Sequence, residues 1–385
     1  MLTRVQIKNI NAIDYCDIDF QKGKYKYLEN MIYQDKLVNP VAFYGTNGSG
    51  KSSFLEAIVS MISLMFSEPK NFSSFIPNHL NIKNHFETLS KEWQKEPTEE
   101  IVHKSVEQIK SSIKIFFEIA DTLYEYFIET SLSGYIAKEF LNANGKLIFE
   151  RNKTTYYYDD KTVEISESLY PTLRRLSMDH QEDEFVIQAF EFLSNIGYID
   201  ATKHTCILKS GIEKDYRDLI VEKSSIVKNI LAEYKEFPLY NFISQPNNDG
   251  KKDYFVQLDV GNDSLTMPYQ YMSSGMLNQS VLLSTLLCLP SNSALFVDEI
   301  EDALHPLTIV DFIQVAQKRN IQLIFSSHNT YLLQKLRPDQ IFFANWKNGY
   351  STYKKLSDIY PNIREVNNIE KMYFSNMFDE DIKNG

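Results

Sequence analysis

Cysteine is scarce in this 385-residue chain: Cys16, Cys206 and Cys288 lie far apart with no metal-type spacing. That argues against a disulfide framework or a zinc site and fits a reducing compartment. No run of 18 apolar residues is present to span a membrane, and the opening Met1-Leu2-Thr3-Arg4-Val5-Gln6-Ile7 alternates like a strand instead of forming the apolar core of a signal peptide. The expected location is therefore the cytoplasm, with no membrane partner. No heptad persists for three or four repeats, which excludes a long coiled-coil arm. An excess of positive charge is missing as well. With 40 Lys+Arg against 51 Asp+Glu the net charge is −11, so the surface as a whole repels nucleic acid and any such contact must use a local basic patch. Glycine is also sparse, 13 residues in all, yet three of them crowd into positions 45 to 50.

That crowding is the most informative stretch of the chain. Phe43-Tyr44-Gly45-Thr46-Asn47-Gly48-Ser49-Gly50-Lys51-Ser52-Ser53 fits the phosphate-cradling pattern G-x-x-x-x-G-K-S/T. Val41 to Tyr44 form a short apolar run suited to a buried strand, and Ser53-Phe54-Leu55-Glu56-Ala57-Ile58-Val59 continues as a helix, running to about Phe66. In a P-loop, glycines let successive backbone N–H groups converge on phosphates, and the helix N-terminus adds its positive end. Residues 45–53 are thus the expected ATP-binding segment: Lys51 reaches the β- and γ-phosphates, and Ser52 offers a hydroxyl to Mg²⁺.

The flanking chain predicts an α/β protein. A hairpin with its turn near Asn9-Ile10-Asn11 precedes the P-loop. A polar stretch from Glu68 to about Lys110 follows its helix and reads as an insertion. Residues 112–150 then alternate strongly and continue towards Tyr156–Tyr158 as an antiparallel meander. From about Ser166 to Pro238 the spacing turns to three and four, as in Phe185, Val186, Ala189, Phe190 and Leu193, which predicts a helical lobe. Tyr254–Leu258 reads as a strand, and from Ser273 onward helices and strands alternate. The expected organisation is an N-terminal part (1–165), a helical lobe (166–250) and a returning C-terminal part (251–385).

Three further segments complete a nucleotide site. Ala294-Leu295-Phe296-Val297 ends in Asp298-Glu299, which places Asp298 for the metal shell and Glu299 as general base towards water. A second apolar strand, Ile321 to Ser326, delivers His328 to the edge where ligands bind in a parallel sheet. On its own such a histidine is more often a cap or a satisfied core residue. Ser273-Ser274-Gly275 begins a helix, with N–H groups suited to an anion, although alone this is an ordinary N-cap.

The order of these segments, with Ala303-Leu304-His305 after the Asp-Glu pair, resembles that of ABC-type ATPases. Met272-Ser273-Ser274-Gly275-Met276 is similar to their signature and His328 to their switch histidine. The resemblance implies an α/β P-loop ABC-type ATPase head with an antiparallel β subdomain and a helical lobe. It also implies a homodimer that sandwiches two ATP with Mg²⁺, each signature facing the other copy's γ-phosphate, with Lys51, Glu299 and His328 catalytic. The opening Ile7-Lys8-Asn9-Ile10-Asn11-Ala12-Ile13 and the phrase Asp298-Glu299-Ile300-Glu301-Asp302-Ala303-Leu304-His305-Pro306 are similar to SMC-related ATPases of bacterial phage defence, the overcoming-lysogenization-defect and abortive-infection groups. Only 57 residues follow His328, too few for an in-chain nuclease, so the resemblance implies a separate effector such as a Toprim-type nuclease. Two rival expectations are a DNA-maintenance ATPase of SMC kind and a scaffold that uses ATP structurally to hold a partner protein.

Overall fold

The computed structural model describes residues 1–66, 81, 83, 108–132, 134–165, 170–208, 212–233, 240–260, 263–365 and 367–375. The expected insertion at 68–110 lies almost wholly outside the described residues.

Two eight-stranded sheets set the architecture. The first is antiparallel. Leu2–Ile10 pairs with Ile13–Asp19 on one side and with Lys110–Ile119 on the other, and the meander continues through Thr122–Ser131, Ile136–Ala143, Lys146–Asn152, Thr155–Tyr158 and Lys161–Glu164. Period-two alternation buries Ile113, Ile115 and Phe117 together with Tyr124, Tyr126 and Ile128, and leaves Lys114, Phe116 and Phe127 on the half-exposed face.

The second sheet carries five parallel strands in the order Gly197–Asp200, Ala294–Asp298, Gln322–Ser326, Val41–Tyr44, Ile341–Lys347. Antiparallel strands close it, Thr205–Leu208 and Ile212–Lys214 at one edge and Tyr350–Lys355 at the other. Its central strands read as unbroken apolar runs because both faces are covered. Val41, Phe43, Ala294, Phe296 and Ile324 join a core with the P-loop helix Lys51–Phe66 and the buried face of the antiparallel sheet. Ala42, Tyr44, Leu295, Val297, Leu323 and Phe325 join the opposite core with the helices Tyr216–Glu233, Ser274–Cys288 and Pro306–Lys318. Each fully buried large aliphatic or aromatic side chain contributes roughly 1.5–3 kcal/mol to holding these layers together. The carboxyl ends of the parallel strands, at Tyr44, Asp200, Asp298 and Ser326, share one edge of the molecule.

One expectation needs correction. Segment 166–250 contains the helices Thr172–Asp179, Glu184–Ser194 and Tyr216–Glu233, but it is not wholly helical. Gly197–Asp200, fully buried, runs parallel to Ala294–Asp298 inside the P-loop sheet, with Asp200 paired in register to Asp298. Tyr240–Pro246 opens a three-stranded antiparallel sheet with Lys252–Val260 and Asp263–Pro268, which crosses the expected boundary at 250. The physical reason is length: a four-residue apolar run buried on both faces has no periodicity to set it apart from a helical turn. None of the three cysteines is in a disulfide; Cys16 and Cys206 are buried.

Candidate functional site

The P-loop leaves its buried strand through a backbone that only glycine tolerates at two points. Gly45 and Gly50 have φ of +155° and +98°. A Cβ at Gly45 would sit 2.3 Å from the Ala344 carbonyl oxygen, and one at Gly50 would sit 1.9 Å from Ser351 Oγ. The hairpin Ile341–Lys355 therefore forms the floor of the loop. From the same hairpin the half-buried Tyr353 donates its hydroxyl to the Gly50 carbonyl oxygen at 2.6 Å. The backbone that must converge on phosphates is fixed from behind by residues some 300 positions away in sequence.

The helix then begins at Lys51, as the motif demands. Its ammonium donates to the carbonyl oxygens of Gly45 (3.2 Å) and Thr46 (3.4 Å) and lies 2.8 Å from His328 Nε2. Burial lowers the Lys51 pKa, opposed by the charges of Glu299, Asp298 and Glu301. The His328 pKa is also lowered, by burial first and then by Lys51. The imidazole is therefore neutral near pH 7, with Nε2 accepting from the Lys51 ammonium. It follows that the 3.4 Å approach of His328 Nε2 to Glu299 Oε1 is not an ion pair.

Asp298 and Glu299 sit where their strand ends. A single side chain orders both: Ser326 Oγ donates to Asp298 Oδ1 at 2.5 Å and accepts the Glu299 N–H at 2.8 Å. Glu299 has a left-handed φ of +52°, which costs a non-glycine residue on the order of 1 kcal/mol. The bond to Ser326 Oγ, together with Ile300 N–H donating to the Ser326 carbonyl at 3.2 Å, holds it there. Burial, then the neighbouring Glu301 charge, pushes the Glu299 pKa up to about 7, with Lys51 opposing. A carboxylate poised near neutrality suits proton transfer. Glu301 in turn accepts the His328 backbone N–H, which ties the switch position to the turn after Glu299.

Lys51, Glu299 and His328 face one pocket of about 520 Å³, which Asp298 does not line. Asn47, Gly48, Gly50, Lys51, Ser52 and Ser53 line it from the P-loop, joined by Glu299 and His328, by Ala12 from the first hairpin's tip and by Thr202 beyond Asp200. Thr46 contributes its carbonyl to Lys51, while Ser49 is fully buried behind the loop. The donor set suits magnesium bound with a nucleotide: Ser52 offers a hydroxyl and Asp298 a carboxylate, hard oxygens that leave the remaining positions to phosphate and water. Among the described residues no group of three or more His, Cys, Asp or Glu is placed to hold a metal by itself.

Ser273, Ser274 and Gly275 lie elsewhere. Ser273 caps its helix by accepting the Met276 N–H at 3.3 Å, and both serines are exposed. Gly275 packs against the turn after Glu299, where a Cβ would meet the Ala303 carbonyl oxygen at 2.5 Å. Asn278 Nδ2 donates to the Asp302 carbonyl (2.7 Å) and to Asp302 Oδ2 (2.9 Å). None of the three signature residues lines the P-loop pocket of the same chain.

Sequence reasoning missed Ser326, Glu301, Thr202 and Tyr353. Ser326 could have been suspected, as a polar residue closing an apolar strand two positions before His328. Tyr353 gave no local signal at all.

A family model described as "AAA domain, putative AbiEii toxin, Type IV TA system" matches residues 41–334. No curated protein matches. Among solved structures, the SMC head domain from Thermotoga maritima aligns at 12% identity over 92% of this chain and 98% of its own, with a TM-score of 0.46. The SMC head solved bound to the C-terminal winged-helix domain of ScpA aligns at 14% identity over 93% and 99%, with a TM-score of 0.50. The fold is that of an ABC-type ATPase head.

Proposed function

The chain belongs to the AAA-domain family matched over residues 41–334, and from that premise we propose that it binds ATP with Mg²⁺ in the P-loop pocket and hydrolyses it as one half of a two-copy composite site. Residues 45–53 hold the phosphates, Lys51 neutralises the β- and γ-phosphates, and Ser52 with Asp298 holds the metal, which when bound supplies charge neutralisation on the transferring phosphoryl group. Glu299 takes the proton from the attacking water, and His328, held neutral beside Lys51, orients it. The observation that carries the reading is the Ser326 hydroxyl, which bonds both Asp298 and Glu299 where their strand ends, with Glu299 lining the same pocket as Lys51.

Ser273 to Gly275, exposed and outside their own chain's pocket, would complete the site of a second copy. ATP would then close a homodimer and hydrolysis would reopen it. Because a ligand shifts an equilibrium only through its differential affinity for two states, this cycle gives a regulator two distinguishable forms. We assign it to a cytoplasmic sensor in bacterial antiviral defence of the abortive-infection kind, acting on a separate effector such as a Toprim-type nuclease.

Glu299→Gln tests the chemistry. Turnover should fall on the order of 100-fold or more while ATP affinity stays close to wild type, and the variant should accumulate as an ATP-bound dimer in light scattering. Wild-type turnover in this variant would remove Glu299 from the mechanism. Purification together with the products of neighbouring genes, followed by ATPase assay with and without them, tests effector control.

A further inference from the structure

The attacking water of the proposed reaction has two O–H bonds, and Glu299 accounts for one of them. A water held in line for attack needs an acceptor for the other as well. Most side chains of the pocket cannot supply it. Lys51 carries donors only, and its ammonium already occupies Nε2 of His328, so the remaining ring nitrogen of His328 is an N–H donor. Ser52 is given to the metal in the proposed site. Asn47 and Ser53 stand in the P-loop itself, on the phosphate side. The polar side chain that remains is Thr202.

Thr202 reaches the pocket from the short strand Gly197–Asp200, which runs parallel to Ala294–Asp298 with Asp200 in register with Asp298. The Ala201 N–H donates to the Asp298 carbonyl oxygen at 3.1 Å. Thr202 and Glu299 each follow directly after that one hydrogen bond, on neighbouring strand ends that stand roughly 4.8 Å apart. Asp200 is close enough to Glu299 for its charge to add to the upward pKa shift that burial, Glu301 and Asp298 produce. Around Thr202 the hydrogen bonding runs in one direction. Its Oγ1 donates to Asp200 Oδ1 at 2.6 Å, and the buried Asp200 also accepts the Lys203 N–H (3.1 Å) and the Lys203 ammonium (2.6 Å). Burial would raise the Asp200 pKa, but the bonds from Lys203 and Thr202 outweigh it and hold the carboxyl below its ordinary range. An ionised Asp200 has no proton to give, so the Thr202 proton is committed to it and the hydroxyl keeps only lone pairs for other partners. Such a hydroxyl accepts from water and has nothing to offer a phosphate oxygen.

We propose that Thr202 is a further catalytic residue, which holds the attacking water as a hydrogen-bond acceptor, with Asp200 the positioning residue that fixes the direction of its hydroxyl. One water O–H points at Glu299, which takes that proton, and the other at Thr202 Oγ1, which keeps a lone pair of the water oxygen turned towards the phosphorus. The bond from water oxygen to phosphorus forms as the bond from phosphorus to the leaving ADP oxygen breaks, and the Thr202 proton stays where it is. This inference rests on the hydrolysis reading above and adds a residue to it.

Thr202→Val keeps the shape of the side chain and removes the acceptor, while Thr202→Ser keeps the hydroxyl. In the full-length protein T202V should lower kcat about 10-fold with KM for ATP within about 2-fold of wild type, and T202S should behave like wild type. The melting temperature of T202V should hardly move, because Thr202 is exposed and Asp200 keeps both bonds from Lys203. A readout without turnover is retention of labelled ADP with aluminium fluoride and Mg²⁺, a planar complex that holds a water in line. T202V should retain it about 10-fold less well than wild type, with its affinity for ATPγS unchanged. Equal kcat and equal retention in T202V and wild type would overturn the inference and leave the hydrolysis reading standing. So would a loss of ATPγS affinity as large as the loss of kcat, which would put the hydroxyl on the ground-state nucleotide, or a T202S as slow as T202V. Failure of the wild type to bind ATPγS at all would instead sink the hydrolysis reading, and this inference with it.

Discussion

The P-loop face and the signature face of this chain use the same device, a helix N-terminus preceded by small polar residues, and differ in everything around it. At the P-loop, Lys51, Asp298 and Ser326 are buried, their atoms are bonded to one another's elements, and a hairpin from the far end of the chain fixes the loop from behind. At the signature, Ser273 and Ser274 are exposed, while Gly275 and Asn278 pack on the turn that follows Glu299. One face is assembled within its own chain, and the other presents its two serines to solvent among the described residues. The contacts of Gly275 and Asn278 tie the start of this helix to Ala303 and Asp302, in the turn that follows Glu299.

If the two faces complete each other across copies, damage to them should complement. Lys51→Ala removes a charged donor and should weaken ATP binding on the order of 10- to 100-fold, with turnover lost. Ser274→Glu should also abolish turnover while leaving ATP binding intact. A carboxylate there favours its own helix N-terminus by about 0.3–1 kcal/mol yet repels a partner's γ-phosphate, so lost activity could not be ascribed to a destabilised helix. Mixing the two inactive variants in equal amounts should restore roughly one quarter of wild-type turnover, since half of the dimers are mixed and each mixed dimer keeps one intact site. No recovery on mixing would sink the composite site.

A smaller effect separates ordering from chemistry. Ser326→Ala leaves Asp298 Oδ1 and the Glu299 N–H without their shared partner and should lower turnover on the order of 10- to 100-fold through kcat, with ATP affinity changed only a few-fold. Equal loss in affinity and rate would instead make Ser326 a fold residue.

How much of this was visible in the sequence differs in the same way between the regions. The P-loop and the Asp298–Glu299 strand were legible because a doubly covered parallel strand must be an unbroken apolar run and because phosphate binding demands glycine at fixed intervals. The pairing of Leu2–Ile10 with Lys110–Ile119, which fuses hairpin and meander into one sheet, was not legible, since Ile7 and Ile113 carry no local mark of each other. Gly197–Asp200 was hidden by its brevity. Tyr353 was hidden because its hydroxyl acts on a backbone carbonyl, and a carbonyl has no side-chain identity to match.

The subtlest consequence concerns Glu299 and pH. Its folded pKa of about 7 stands above its ordinary 4.5, so burying this group favours the protonated form. Any stability gained from the neutral carboxyl is complete below pH 4.5 and is lost as pH rises through 7. Glu299→Gln keeps a neutral side chain at every pH. It should match wild-type stability near pH 4.5 and exceed it increasingly up to about pH 8, by about 1–2 kcal/mol once partial solvent screening is allowed for. Wild-type turnover should rise over the same interval as the base form fills. Thermal melts of both proteins across that range would check the sign: a gap between the two curves that closes with rising pH would mean that the carboxylate is stabilised where it sits, and Glu299 would then lack the raised pKa that suits it to accept a proton.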